Sequence, residues 1–178
     1  MTQIVPENGE RGETSPVADD QVFADLFAAH QASIHRLAVL LSGDRFVAEE
    51  ITAEVFARVL PRWRRGQVSD PVLYLRRAVV NEVRSRFRRR SNERRALTRH
   101  SSQTRPIGNG DQAGAVSEPL IAALQLLPPR QRTVVVLRFH DDLSVAEVAH
   151  IVGAPVGTVK TQTRRALSAL RIVLEDTT

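Results

Sequence analysis

Ser144–Leu170 reads SVAEVAHIVGAPVGTVKTQTRRALSAL, and this stretch decides the fold. Its first part is apolar at Val145, Val148, Ala149 and Val152, the i, i+3, i+4, i+7 stripe of an amphipathic helix. Ser144 with Glu147 three positions on is a capping box, which fixes where that helix starts. Gly153-Ala154-Pro155 ends it. A second helical pattern follows, apolar at Val159, Ala166, Leu167 and Leu170, with Lys160, Thr161, Gln162, Arg164 and Arg165 on its other faces. Two short helices across a glycine-containing turn, the second polar and cationic, predict a helix-turn-helix whose second helix suits a DNA major groove. A plain packing pair is the alternative. Hydrogen-bond donors concentrated near the start of the second helix, where base edges are met, favour DNA.

The whole chain agrees with an anionic partner. Its 178 residues suit one ordinary domain or two small ones, and a hydrophobic content of 42% supports packed cores. The net charge is +5 and the pI about 11.0, which points to nucleic acid. Lys160 is the only lysine. An arginine excess of this kind also follows from a GC-rich genome, so it is not read as function alone. The absence of cysteine excludes disulfides and thiolate metal sites. Met1–Asp20 is polar and lacks the apolar segment of a signal peptide, and no run nears the roughly 18 apolar residues of a membrane span. The expectation is a cytoplasmic, nucleoid-associated protein with no membrane insertion.

Upstream, residues 1–19 mix Gly, Pro, Ser, Thr and Glu without period and read as a disordered tail. A helical stripe then runs through Phe23, Leu26, Phe27, His30, Ile34, Leu37, Ala38 and Leu41, and Ser42-Gly43-Asp44 breaks it. A second, through Val47, Ile51, Val55, Phe56, Val59 and Leu60, is expected to end at Pro61-Arg62-Trp63. Arg64–Pro71 is loop-like. A third runs from about Val72 into an arginine run, with Leu75, Ala78, Val79 and Val83 inward. Three such helices are expected to bury their faces only against one another, as one domain over 20–90. Residues 91–117 read as a flexible linker and 118–175 as a second domain, with helices resuming at Pro119 and again through Val134–Phe139. The predicted class is all-α, two small helical domains joined by that linker.

The arginine run is the strongest charge feature. Arg84, Arg86, Arg88, Arg89, Arg90, Arg94, Arg95 and Arg99 crowd the end of the third helix and the start of the linker, with Phe87 among them. Part of this suits a helix C-terminus, but so dense a cluster repels itself unless phosphates neutralise it. Trp63, Arg64, Arg65 and Tyr74 set aromatic and cationic groups around a loop, a combination able to stack an unpaired base. Closure of the three-helix core by Trp63 and Tyr74 is the alternative reading.

In order and spacing, these segments resemble the extracytoplasmic-function sigma factors, the small promoter-recognition subunits of bacterial RNA polymerase. Leu40–Asp44, Ala48-Glu49-Glu50-Ile51 and Glu54-Val55-Phe56 are similar to the polymerase-binding helix of the family's region 2. Tyr74–Asn81 resembles the promoter-melting helix in the form seen in actinobacterial SigE-type members, and Leu127–Arg132 with Val156–Lys160 resembles region 4. The resemblance covers about residues 23–90 and 118–174. It implies that Glu49, Glu50, Glu54 and Phe56 grip the clamp of core RNA polymerase. It implies that Trp63, Arg64, Arg65, Ser69, Arg77, Asn81, Arg84 and Arg88 handle the −10 DNA. Region 4 would dock on the polymerase flap and read the −35 DNA through Lys160, Thr161, Gln162, Arg164 and Arg165. An anti-sigma factor is a further partner compatible with it. The chain departs from the family pattern at Ala53, where glutamine is common, at Tyr74, where tryptophan is, and at Gln162, where many members carry arginine. With no domain after region 4, self-inhibition by a C-terminal extension is not expected.

Two other functions compete. An ordinary helix-turn-helix regulator with an N-terminal helical sensor would explain the C-terminal half but not the arginines beside Trp63 and Tyr74. An enzyme is the more distant reading. His30, His35, His100, His140 and His150 show no metal spacing, and no glycine-rich phosphate loop follows a strand, so no catalytic residue, metal or cofactor is expected.

Overall fold

The computed structural model describes residues 16–96 and 116–175, of which the side chains of 21–93 and 116–172 are placed. Among these residues there are seven helices and no strand: α1 (Pro16–Ser42), α2 (Arg45–Arg64), α3 (Pro71–Ala96), α4 (Glu118–Gln125), α5 (Pro129–Phe139), α6 (Val145–Val152) and α7 (Val156–Glu175). Pro16–Asp19, expected in the tail, open α1, and residues 91–96, expected in the linker, continue α3. The rest of the expected tail and linker, 1–15 and 97–115, lies outside the described residues. α2 also runs past its expected stop: Pro61 sits inside its last turn, and the helix ends at Arg64.

Local chemistry explains the boundaries. Gly43 adopts φ +76° and its N–H donates to the Val39 carbonyl at 2.8 Å, closing α1 in a left-handed turn that other residues enter at a cost. Asp44 caps α2 by accepting from the Val47 N–H at 3.1 Å. Asp70 likewise accepts from the Leu73 N–H at 2.9 Å, with Pro71 as the first helical residue of α3. The capping box at α6 is present: the Ser144 hydroxyl accepts from the Glu147 N–H at 3.2 Å, and the Glu147 carboxylate accepts from the Ser144 N–H at 2.7 Å. Those bonds hold the Glu147 carboxyl below its ordinary range. Val134–Leu137 is helical as expected, despite its β-branched run.

The three N-terminal helices do not bury their faces only against one another, contrary to expectation. α1–α3 and α4–α7 share one continuous core. Leu37, Ala38, Val39, Leu40 and Leu41 are all buried, as are Val134, Val135, Val136 and Leu137. A helix buried on every side needs neighbours on every side. The end of α1 finds α2 and α3 on one flank and α4 and α5 on the other.

Polar ties fix this seam. The buried Arg132 guanidinium donates to the carbonyls of Leu124 (2.9 Å), Gln125 (3.2 Å) and Leu127 (3.2 Å) around the end of α4, and to Leu41 near the end of α1 (2.8 Å). It sits against the carbonyl ends of two helices, which suits a cation. Arg45 reaches the Glu118 carboxylate at 3.2 Å and the Val116 carbonyl at 3.3 Å. Arg76 on α3 pairs with Asp141 at 2.9 Å.

Candidate nucleic-acid interface

Arg77, Asn81, Arg84 and Arg88 recur along α3 at i, i+4, i+7 and i+11, so they share one face of the helix; Arg77, Asn81, Arg84 and Arg88 are all exposed. This face carries three guanidinium groups and an amide in a row, the donor set that tracks a phosphate backbone. Arg84 lies near the end of α6, its Nη2 3.5 Å from the Val152 carbonyl. Exposed Arg64 ends α2, and the turn before α3 holds exposed Arg65 and Ser69, with Gly66 at φ +64° bending the chain. Trp63 is half-buried at its edge. Tyr74 packs on the core and carries the Arg62 guanidinium over its ring at 5.9 Å, so of the two aromatics it is Tyr74 that closes the bundle.

Arg86 does not belong with these arginines. It lies about two and a half turns beyond Arg77, on the opposite side of α3. There its Nη1 donates to Glu50 at 2.6 Å, its Nη2 to Glu54 at 2.7 Å and its Nε to Glu82 at 3.3 Å. Glu82 is itself buried and takes a further bond from Arg58 at 3.2 Å. Burial raises the Glu82 carboxyl and opposes its ionisation, but the hydrogen bonds from Arg58 and Arg86 overcome this and hold it below the ordinary range.

On α2, Glu49, Glu50 and Glu54 are exposed. Phe56, expected beside them as a contact residue, is 3% exposed and faces the other way. Phe27 meets its ring edge-on at 4.6 Å between centroids, and Phe23 at 6.5 Å. Phe56 is thus a core residue, and it supports the acidic face from beneath.

α7 divides its five candidate residues between two faces, because residues two apart on a helix do not face each other. Lys160 and Arg164 line a groove of about 440 Å³ with Arg138, Val145, Thr163, Leu167, Ser168 and Arg171. Leu167, expected to point inward, is 43% exposed there. Thr161 and Arg165 lie on the adjoining face, and Gln162 is half-buried at its border. The Thr161 hydroxyl donates back to the Gly157 carbonyl at 3.0 Å. Gly153, at φ +65°, sets the turn between α6 and α7, and Val159 and Ala166 anchor α7 in the core.

This order of parts is matched by known families. The model of Sigma-70 region 2 matches residues 26–93, and that of Sigma-70, region 4 matches 117–170. The RNA polymerase sigma-E factor of Streptomyces coelicolor is 31% identical over 152 residues, 84% of this chain and 84% of its own length. The ECF sigma factor EcfG of Rhodopseudomonas palustris is 30% identical over 156 residues, 87% of this chain and 86% of its own. The chain belongs to the extracytoplasmic-function sigma factors. Such a factor directs RNA polymerase to promoters and initiates transcription there; it is a regulatory, non-catalytic subunit. The sigma factor RpoE of Bartonella quintana, solved in complex with the anti-sigma factor NepR, shares the fold at a TM-score of 0.74 and 20% identity, over 87% of this chain and 98% of that one. Region 2 of this sigma factor therefore holds α3's basic stripe and α2's acidic face, and region 4 holds the α6–α7 pair. No helix among the described residues is long and apolar enough to cross a membrane. Sequence reasoning missed the roles of Arg86 and Arg132: spacing sets Arg86 apart from Arg77, but partners of both arginines lie on other helices, and no local signal names them.

Proposed function

We propose a division of the sigma factor's surface into three working parts. Glu49, Glu50 and Glu54 meet a basic surface on the polymerase clamp. The turn around Trp63, Arg64, Arg65 and Ser69 receives an unpaired −10 base, while Arg77, Asn81, Arg84 and Arg88 hold the strand. Region 4 docks on the flap and reads the −35 element, with Lys160 and Arg164 on one face of α7 and Thr161, Gln162 and Arg165 on the next. Residues 20–90 and 118–175 act as the two functional domains, the segment between them as their linker, in a cytoplasmic protein at the nucleoid that carries out no catalysis of its own. An anti-sigma partner, of the kind RpoE of Bartonella quintana has in NepR, is part of this reading.

The observation that carries it is the exposed α3 stripe, four donor side chains on one face beside an aromatic-bearing turn. Run-off transcription with core polymerase tests it. Arg77→Ala with Arg88→Ala should lower open-complex formation at least tenfold and reduce its salt dependence by about two units, one for each phosphate left without its arginine. A double variant that opens promoters as the parent does removes α3 from the DNA path. Separately, Glu50→Arg with Glu54→Arg should abolish co-elution with core polymerase while the fold persists by circular dichroism. A folded variant that co-elutes at parental affinity moves the polymerase contact elsewhere.

A further inference from the structure

Glu50 and Glu54 stand one turn apart on α2, and Glu82 approaches from α3. Three carboxylates so close repel one another, and the two exposed ones, on long side chains, would otherwise sample many rotamers. Arg86 prevents both. All three of its nitrogens are engaged, one per carboxylate, and its side chain is 20% exposed. It takes Oε2 of Glu50 and Oε1 of Glu54, and the two side chains remain 65% and 48% exposed. The planar guanidinium is a rigid fork, so holding these two oxygens also fixes where the other two point. Burial of Glu82, 9% exposed, holds the fork on α3, and Arg58, 3.2 Å from Glu82 and 4.0 Å from Glu54, ties it back to α2.

We propose that Arg86 is a positioning residue for polymerase docking: it holds the Glu50 and Glu54 carboxylates in a fixed, outward array that a basic partner surface meets without having to order them. It takes no part in holding the promoter strand, although it lies in the arginine run. This rests on the reading of α2 as the polymerase-binding helix. Two effects of removing it oppose each other. The freed carboxylates must be ordered on binding, which weakens the complex. The face also becomes more negative, which strengthens long-range attraction, but salt screens that part.

The test is the affinity of full-length Arg86→Ala for core polymerase at about 0.3 M salt, where the Debye length is only a few ångströms and the ordering effect dominates. Binding should weaken about tenfold, and in a Glu54→Gln background the same change should weaken it about threefold or less. Arg86→Lys, which keeps the charge but lacks the fork, should fall between the parent and Arg86→Ala. At saturating polymerase, the salt slope of promoter binding should match the parent's. Parental or tighter polymerase binding by Arg86→Ala overturns the proposal. So does an equal loss in both backgrounds, which marks general support of the fold, and so does a lowered promoter salt slope, which marks a phosphate contact. If Arg86→Ala does not fold, Arg86→Lys decides by the same criteria. If Glu50→Arg with Glu54→Arg still binds polymerase, it is the docking surface that is misplaced; if that variant fails while Arg86→Ala binds normally, only the role of Arg86 is.

Discussion

Arg76 on α3 donates from Nε to a carboxylate oxygen of Asp141 at 2.9 Å, and this pair spans regions 2 and 4 with the Asp141 side chain 7% exposed. Asp141 lies between α5 and α6, next to Asp142 at φ +51°, so a tight turn aims it across the seam. Replacing it by alanine removes a charge-assisted hydrogen bond but leaves Arg76 partly hydrated. Asp141→Ala should cost about 2 kcal/mol in urea unfolding. The chain has no cysteine, so spin labels at Ala53→Cys and Ser168→Cys report the separation of the two regions directly. Their distance distribution should lengthen and broaden in the variant; an unchanged distribution shows that the apolar seam suffices alone.

Arg132 should be far less replaceable. Arg132→Met keeps the bulk and apolar stem but strips hydrogen bonds from the carbonyls of Gln125, Leu127 and Leu41, and one from Leu124, which keeps the Leu127 N–H. Unsatisfied buried acceptors cost about 1–3 kcal/mol each, and some will find water, so a loss of roughly 3 kcal/mol or more is expected. Chemical unfolding measures it. A loss below about 1 kcal/mol would show that the carbonyls are readily hydrated.

Gly43 couples two strains. At φ +76° any side chain is disfavoured, and an added Cβ would also run into the Gln125 side chain. Gly43→Ala should therefore destabilise by about 1–2 kcal/mol from the backbone alone, with a further loss from the clash. In a Gln125→Ala background only the backbone part should remain. Thermal unfolding of the four proteins in the cycle separates the two.

His35 gives the fold a pH dependence. Burial lowers its pKa below the ordinary imidazole value, Glu49 works against this, and Arg45 adds to it. The unfolded chain thus binds the proton more readily, and folding is favoured by the neutral ring. This contribution is fully present above the unfolded value of about 6.5, falls away as pH drops through it, and is gone below the lowered folded value. Unfolding free energy measured from about pH 7.5 to 5.5 should fall less steeply in His35→Gln. It should fall more steeply in Glu49→Gln, which removes the group favouring protonation. Parallel profiles for parent and His35→Gln would place the dependence elsewhere.

Much of this was legible in the sequence because the signals were local. Ser144 and Glu147 announce the start of α6, and Gly153 its end, through bonds made within a few residues. The continuous apolar runs Leu37–Leu41 and Val134–Leu137 also carried a message: no one-sided helix needs five or four such residues in a row. They are the meeting surfaces of regions 2 and 4, hidden because a helical stripe marks only which side is apolar. Phe56 shows the limit from the other direction. It lies both on the apolar stripe through Ile51, Val55 and Val59 and in the motif that carries Glu54, and its contacts with Phe23 and Phe27 on α1 show that the stripe decides. Arg86 is the harder case. Its neighbours Arg84 and Arg88 are chemically identical to it, and its partners Glu50 and Glu54 lie more than thirty positions away.

Arg132 is held in the seam by carbonyl dipoles, with no carboxylate among the four acceptors at its guanidinium. Of the ties around it, Arg45–Glu118 joins opposite charges at a partly exposed site, whereas Arg76 meets an Asp141 side chain only 7% exposed. Rising ionic strength screens the Arg45–Glu118 pair most and barely touches the carbonyl bonds of Arg132. The two regions consequently share a pivot that salt does not loosen and, at the α1–α4 corner, a tie that it does, so concentrated electrolyte should open that corner before it separates them.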